Sequence, residues 1–267
     1  MGARIILRFG AATLVLAALA STLTAGQVPE SAPPTYTPRE TELGQPDLQG
    51  VWQVLNTAAW DVEDHAAQLF PGLPARFGVP AGQGVVEDGD IPYQPWARVR
   101  KNQNYETRAT ADPEVHCYLP GVPRITYMPY PFQIFQFSDR VVILYEYLHT
   151  TRVIYMDGTP HPPAPRDYWM GDSRGHWDGT SLVVDVIHFT DQTWFDRAGN
   201  FHSGAMHVVE RYTPTGPDHL RYEATIEDPD VFTRPWTMAM TLYRRQDATV
   251  QLLEYECYAL AREIEGR

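Results

Sequence analysis

The stretch His219-Leu220-Arg221-Tyr222-Glu223-Ala224-Thr225-Ile226-Glu227 decides the fold. Its apolar side chains fall on every second residue and its polar side chains on the residues between, the pattern of a strand that buries one face. Similar runs, separated by turn residues, predict further strands at 132–137, 140–147, 148–156, 181–189, 205–213, 232–243 and 250–258. Since no helical pattern follows each strand, we expect an all-β fold, a single antiparallel barrel, and not a parallel α/β fold.

The composition of the chain excludes several classes of function. Its 267 residues carry a net charge of −12, so the chain lacks the excess of positive charge typical of proteins that bind nucleic acid or an anionic membrane surface. Lys101 is the only lysine, so Schiff-base chemistry and a phosphate-binding P-loop ending in Gly-Lys-Ser/Thr are excluded. The 23 prolines favour strands joined by turns over a mostly helical protein.

The first 25 residues have the layout of a secretory signal peptide. Arg4 and Arg8 precede an apolar stretch, Phe9 to Leu19, and small residues at Ala20 and Ala25 offer two cleavage points. The apolar stretch is too short to span a bilayer, so we expect no integral membrane segment after cleavage. We therefore predict a periplasmic or secreted protein, with an extended arm at 26–48 and one barrel domain at 49–267.

Two cysteines in an exported protein favour one disulfide, here between Cys117 and Cys257. Closing so long a loop stabilises a fold by about 5 kcal/mol on the chain-entropy model. Two buried free thiols are the alternative.

Residues 56–122 form a long excursion before the main run of strands. We expect a short helix from Ala58 to Phe70, an irregular Gly/Pro-rich segment, and a helix that begins at Pro95. Connections of this length are typically functional covers or lids, so we predict that the excursion lies across the barrel.

Several segments resemble a large family of secreted bacterial proteins of mostly unassigned function. The resemblance covers roughly residues 49–257 and rests on long blocks of sequence: Gly50-Val51-Trp52, Cys117 to Arg124, Trp169 to Asp185, Phe189 to Ser203, and Ile226 to Trp236. It implies a lipocalin-like (calycin-type) barrel in which the tryptophan of Gly-x-Trp plugs the closed end. It brings no catalytic residues with it.

Two motifs that suggest catalysis are rejected. Gly171-Asp172-Ser173-Arg174-Gly175 matches the nucleophile elbow of α/β hydrolases, but its flanks lack the required strand and helix, so we interpret it as a Gly-rich turn. His202, His207 and Glu210 are the nearest approach to a metal-ligand set, and a strand would place residues 207 and 210 on opposite faces. We therefore predict neither a metal site nor a cofactor.

An acid/base site is the stronger catalytic hypothesis. Asp191, Asp196 and His202 lie around one predicted turn, and Glu210 follows on the next strand among apolar and aromatic neighbours. A buried carboxylic acid beside an imidazole suits cofactor-free proton transfer, as in an isomerase, lyase or hydratase. The alternative is that Glu210 forms a structural ion pair with Arg152 or Arg234. Convergence of these groups without an arginine would favour catalysis, and neutralisation by one would favour binding.

Aromatic and basic residues in the same half of the chain suggest a ligand cavity. An aromatic-lined barrel can hold one small hydrophobic or ring-shaped molecule, which is the partner that we expect. The candidate ligand-binding residues are Tyr145, His149, Arg152, Trp177, Trp194, Arg234 and Trp236. A non-catalytic carrier and a carbohydrate-active protein with paired carboxylates remain alternatives.

Overall fold

Nine strands close into a barrel in the computed structural model, which confirms the all-β prediction. The structure describes residues 36–67, 80–163, 167–247 and 249–258, so the predicted leader and residues 26–35 of the predicted arm lie outside it. The strands are β1 Gly50–Val54, β2 Phe132–Gln136, β3 Arg140–Tyr145, β4 Thr151–Tyr155, β5 Asp172–Asp178, β6 Ser181–Ile187, β7 His207–Gly216, β8 His219–Glu227 and β9 Trp236–Arg244.

Each strand pairs with the next in sequence, and β9 returns to pair with β1. Eight of these nine pairings are antiparallel, whereas β4 and β5 run parallel, so the expectation of a purely antiparallel barrel was wrong at this one place. Parallel neighbours need a crossover connection, which here lies between residues 155 and 172 and of which residues 164–166 are outside the described part.

The alternation in β8 has the predicted effect. Leu220, Tyr222, Ala224 and Ile226 are each at most 1% exposed, and the residues between them face outward or are half-buried. β7 alternates in the same way, with Glu210 on its buried face. The inward faces of the strands therefore form one continuous core.

The excursion at 56–122 is only partly helical. Helix α1, Pro95–Ala111, begins with the predicted proline at its first position, and a 3₁₀ turn follows at Pro113–His116. A buried single-turn helix, α2, follows at Arg124–Tyr127. The helix expected from Ala58 was wrong over residues 58–67, where the structure has turns and bends, while residues 68–70 lie outside the described part. The Asp61 carboxylate there accepts a hydrogen bond from the Glu63 backbone amide. Such local side-chain bonds compete with the backbone hydrogen bonds of a helix.

Two further predictions about local structure were wrong. Residues 172–175 of the stretch interpreted as a Gly-rich turn belong to strand β5, whose mostly polar composition hid its pattern. The strand expected at 250–258 is absent from residues 249–258, which make only an isolated bridge between Tyr255 and Tyr147. Because β1 already pairs with β9, the last segment finds no free edge there. The Leu253 amide instead donates to the Glu146 carboxylate at 2.7 Å.

The predicted disulfide between Cys117 and Cys257 is present. It joins the end of the 3₁₀ turn to the last described residues, and the two cysteines are separated by 140 in sequence number. Among the described residues, no helix is long and apolar enough to cross a membrane.

The Arg244 side chain, on the neighbouring strand β9, lies against both Gly50 and the ring of Trp52. Trp52 is fully buried at one end of the barrel, its indole N–H donates to the Leu48 carbonyl, and the Arg244 guanidinium lies 4.3 Å from its ring centre. Gly50 has a φ of +129°, and a Cβ there would lie 2.3 Å from Arg244 Nη1. A glycine two residues before the tryptophan therefore leaves room for the arginine that covers the ring.

Gly50→Ala should lower stability by about 1–3 kcal/mol, because the new methyl group displaces the guanidinium and strains the backbone. Gly44→Ala is the matched control, since Gly44 also has a positive φ, +69°, but has nothing within 4 Å of the added Cβ. Thermal unfolding followed by circular dichroism measures both. Equal losses in the two variants would show that room for Arg244 is not the reason for Gly50.

Candidate functional site

Glu210 lies at the centre of the barrel and is paired with Arg152. The two guanidinium Nη atoms each donate to one carboxylate oxygen, Nη1 to Oε1 at 3.1 Å and Nη2 to Oε2. Glu210 is 0% exposed and Arg152 3%. Of the two arginines proposed as partners, the structure selects Arg152, the arrangement that we associate with binding or structure and not with catalysis.

Hydroxyl groups complete the surroundings of this pair. Tyr222 and Tyr212 each donate to Glu210 Oε1, at 2.8 and 3.1 Å, and Arg152 Nε donates to Ser173 Oγ at 3.1 Å. A carboxylate loses its hydrating water on burial, and a bidentate guanidinium together with further hydrogen-bond donors can take the place of that water. This cluster provides both.

The hydroxyls of Tyr145 and Thr126 are buried without a hydrogen-bond partner among the described residues. Burial raises the pKa of the Tyr145 phenol, so the group stays neutral. Each of these two oxygens has less than 1 Å² of accessible surface, so no water-sized void opens onto either of them. A ligand at this point would have to displace side chains.

His202 lies apart from the pair, among aromatic rings. Its Nδ1 is 2.9 Å from the Ser203 carbonyl, which can only accept, so Nδ1 carries the proton and Nε2 accepts from the Thr193 hydroxyl at 2.6 Å. Burial lowers its pKa, which keeps the imidazole neutral. The rings of Phe189 and Phe195 pack against it, and the partners of His202 differ from those of Glu210.

Asp196 belongs to a different polar cluster, with Asp61 from the excursion. The Asn200 amide donates to both carboxylates, to Asp196 Oδ2 at 2.6 Å and to Asp61 Oδ1 at 3.3 Å. Asp196 also accepts from the amides of Val62, Ala198 and Asn200. Burial, together with the nearby Asp61 charge, raises the pKa of Asp196 to about 7.

Asp61 borders a pocket of about 490 Å³ that also contains the chain's only lysine. Burial raises the pKa of Asp61, and the Lys101 charge partly opposes that shift. The lining residues are Asp61, His65, Ala66, Ala67, Lys101, Asn102 and Tyr105. The structure thus brings together two carboxyl groups, Asp61 and Asp196, and does not bring together the predicted acid/base pair of Glu210 and His202.

Of the remaining predicted residues, His149 shares a surface pocket of about 290 Å³ with Tyr145, and the others are scattered. Trp236 is in the core against Phe195 and Phe232, whereas Trp177 is half-buried on β5. Arg234 is 51% exposed and pairs with Asp88. His149 lies at the surface, near Glu256, and Asp191 is exposed. Glu210, Arg152 and Tyr145 are the predicted residues that the barrel interior brings together.

Trp194 lines a groove of about 400 Å³ between the excursion and the 192–194 loop. Its lining residues, which define the helix groove, are Arg100, Gln103, Asn104, Thr107, Ala111, Pro113, His116, Tyr118, Gln192 and Trp194. Five of them lie on α1 at helical spacing, so they form one stripe along the helix.

Close backbone packing fixes α1 against the loop that carries Trp194. Gly199 has a φ of +85°, and a Cβ there would lie 2.7 Å from the Asn104 Cβ. The buried Asn104 amide donates to the Gly199 carbonyl at 3.1 Å. At the other end, the 44% exposed Tyr118 is supported by Trp169, with ring centres 5.2 Å apart. Both walls of the helix groove are therefore held in place.

Sequence analysis identified Trp194 but missed the other residues of the helix groove. The available signal was the spacing of Arg100, Gln103, Asn104 and Thr107 on a helix that already had a predicted start. Pairing that stripe with Tyr118 and Trp194 requires the tertiary structure, because the two walls are far apart in sequence.

Among the described residues, no group of three histidine, cysteine or acidic side chains is arranged to hold a metal ion. Comparison of the chain with protein-family models, curated proteins and solved structures found no match.

Glu210→Gln should lower the free energy of unfolding by about 3–5 kcal/mol, because it leaves the buried Arg152 charge without its counter-ion. Glu227→Gln is the control, since that side chain is 60% exposed on the neighbouring strand, and it should change stability by less than about 0.5 kcal/mol. Chemical denaturation of the two variants tests this. A Glu210→Gln protein as stable as the control would show that the ion pair does not hold the core.

Proposed function

We propose that this protein is an exported, non-catalytic binding protein for a small ring-shaped molecule, and that the ligand occupies the helix groove. The observation that carries the proposal is a groove of about 400 Å³ with exposed aromatic and amide side chains in its lining. A volume of that size suits a molecule of one or two rings.

The chemistry of the lining supports a ring-shaped ligand. Tyr118 and Trp194 offer flat apolar faces, on which an aromatic or sugar ring can stack. Gln103 and Gln192 each add an amide, able to donate and to accept hydrogen bonds at the edge of a ring. Such a site combines apolar area with a few orienting polar groups, as small-molecule sites do.

Binding without catalysis is the form of the proposal that the charges favour. The groove contains one imidazole, His116, and no carboxylate, so no acid/base pair faces a ligand there. In the barrel, Arg152 neutralises Glu210 within a packed core. The predicted proton transfer by Glu210 and His202 would need both groups to face one ligand.

Export accounts for the disulfide, which forms and persists in oxidising compartments. Expressed in full length in a Gram-negative host, the protein should appear in the periplasm, starting at residue 21 or 26 by intact mass. A chain that starts at residue 26 is the control and should stay in the cytoplasm with reduced thiols. Full-length protein retained in the cytoplasm would contradict export.

Tyr118→Ala should weaken binding of a two-ring probe by about tenfold, because removing a stacking face costs of order 1 kcal/mol or more. The probes are 2-naphthoate, its neutral amide 2-naphthamide, and methyl glucoside, each titrated by calorimetry. Tyr155→Ala is the control, since Tyr155 is a similarly exposed tyrosine on β4, outside the groove.

Binding of either naphthalene compound that is weakened in Tyr118→Ala and unchanged in Tyr155→Ala supports the proposal. Binding of methyl glucoside alone would replace it with the carbohydrate alternative. Absence of binding by all three probes, or equal effects of the two substitutions, would overturn it.

A further inference from the structure

The lining of the helix groove is free of acidic residues, although the protein is strongly acidic. The chain has 33 aspartates and glutamates and a net charge of −12, yet none of the ten lining residues is one of them. The only fully charged side chain in the lining is Arg100. The local charge of the groove is thus opposite in sign to that of the whole molecule.

The Arg100 guanidinium is available to a ligand. Arg100 forms no ion pair or hydrogen bond with any residue that the structure describes, in contrast to Arg98 on the same helix, which pairs with Glu63. An unpaired guanidinium presents five N–H donors in a planar fork that matches a carboxylate.

The acidic residues nearest to the groove are already neutralised or screened. Asp112 and Glu114 flank the lining residue Pro113, and both pair with the buried Arg124, while Glu114 also pairs with Arg197. Asp191, which precedes Gln192, and Glu106, which precedes Thr107 on α1, are exposed, where water screens their charges. These acids therefore leave the charge of Arg100 uncompensated inside the groove.

We propose that the helix groove selects ring-shaped molecules that carry a carboxylate, with Arg100 as the residue that binds the carboxylate. This inference rests on the proposed function and names the class of its ligand, an aromatic carboxylate. The ring stacks on Tyr118 and Trp194, and the carboxylate points along α1 towards the guanidinium. The proposal explains why an acidic protein keeps this groove clear of carboxylates, which would repel such a ligand.

Arg100→Gln tests the assignment directly, because the variant keeps a polar side chain of similar reach and removes the charge. Its affinity for 2-naphthoate should fall about fivefold, the size expected for one ion pair at a partly exposed site. Its affinity for 2-naphthamide should stay unchanged. Arg140→Gln is the matched control, since Arg140 is an exposed arginine paired with Asp139 outside the groove.

The affinity of the native protein for 2-naphthoate should exceed that for 2-naphthamide and should fall as sodium chloride is raised from 20 to 500 mM, because salt screens an exposed charge pair. Thermal unfolding checks that Arg100→Gln is folded, and an unchanged melting temperature is expected for a side chain without a partner. These measurements separate a charge effect from a loss of structure.

Equal affinity for the carboxylate and the amide, with no effect of Arg100→Gln on either, would overturn the inference while leaving ring binding in the groove intact. A loss of affinity for both compounds in Arg100→Gln would overturn it as well, since the arginine would then act on the ring. If neither compound binds the native protein, the proposed function fails together with the inference.

Discussion

The buried ion pair between Arg152 and Glu210 is the interaction on which the barrel depends. Both charges lie inside the closed sheet, one on β4 and the other on β7, so each strand's position is tied to the other's through the core. Removing one partner leaves a buried charge, which costs far more than the pair itself contributes. Tyr212 and Tyr222 donate to the same carboxylate, so the centre of the barrel tolerates little rearrangement.

The proposed binding site lies outside the barrel. Trp52 and Arg244 close one end, and the core around Glu210 leaves no water-sized void against its unpaired hydroxyls. The long excursion contributes α1 to the helix groove, which this helix forms with the loop that carries Trp194. The disulfide at Cys117 anchors the chain just after the 3₁₀ turn, close in sequence to Tyr118.

Local patterns predicted much of this structure, and long-range pairing accounts for what they missed. Alternation placed Leu220 to Ile226 and Glu210 on inward faces, since strand period depends only on neighbouring residues. Strand β5 was missed because its outward side chains are polar and two of its inward positions hold only Ser173 and Gly175. The parallel pairing of β4 and β5, the choice of Arg152 over Arg234, and the meeting of α1 with Trp194 depend on register between distant segments. No periodicity encodes that register.

The location of a bound ligand tests the account most directly. A crystal structure of the protein with 2-naphthoate should show the naphthalene ring between Tyr118 and Trp194, with its carboxylate within hydrogen-bond distance of the Arg100 guanidinium. The Arg152–Glu210 pair should be undisturbed in the same structure. A ligand found inside the barrel against Tyr145 and Arg152, with the ion pair opened, would contradict the central claim that the barrel is a packed scaffold and the groove is the binding site.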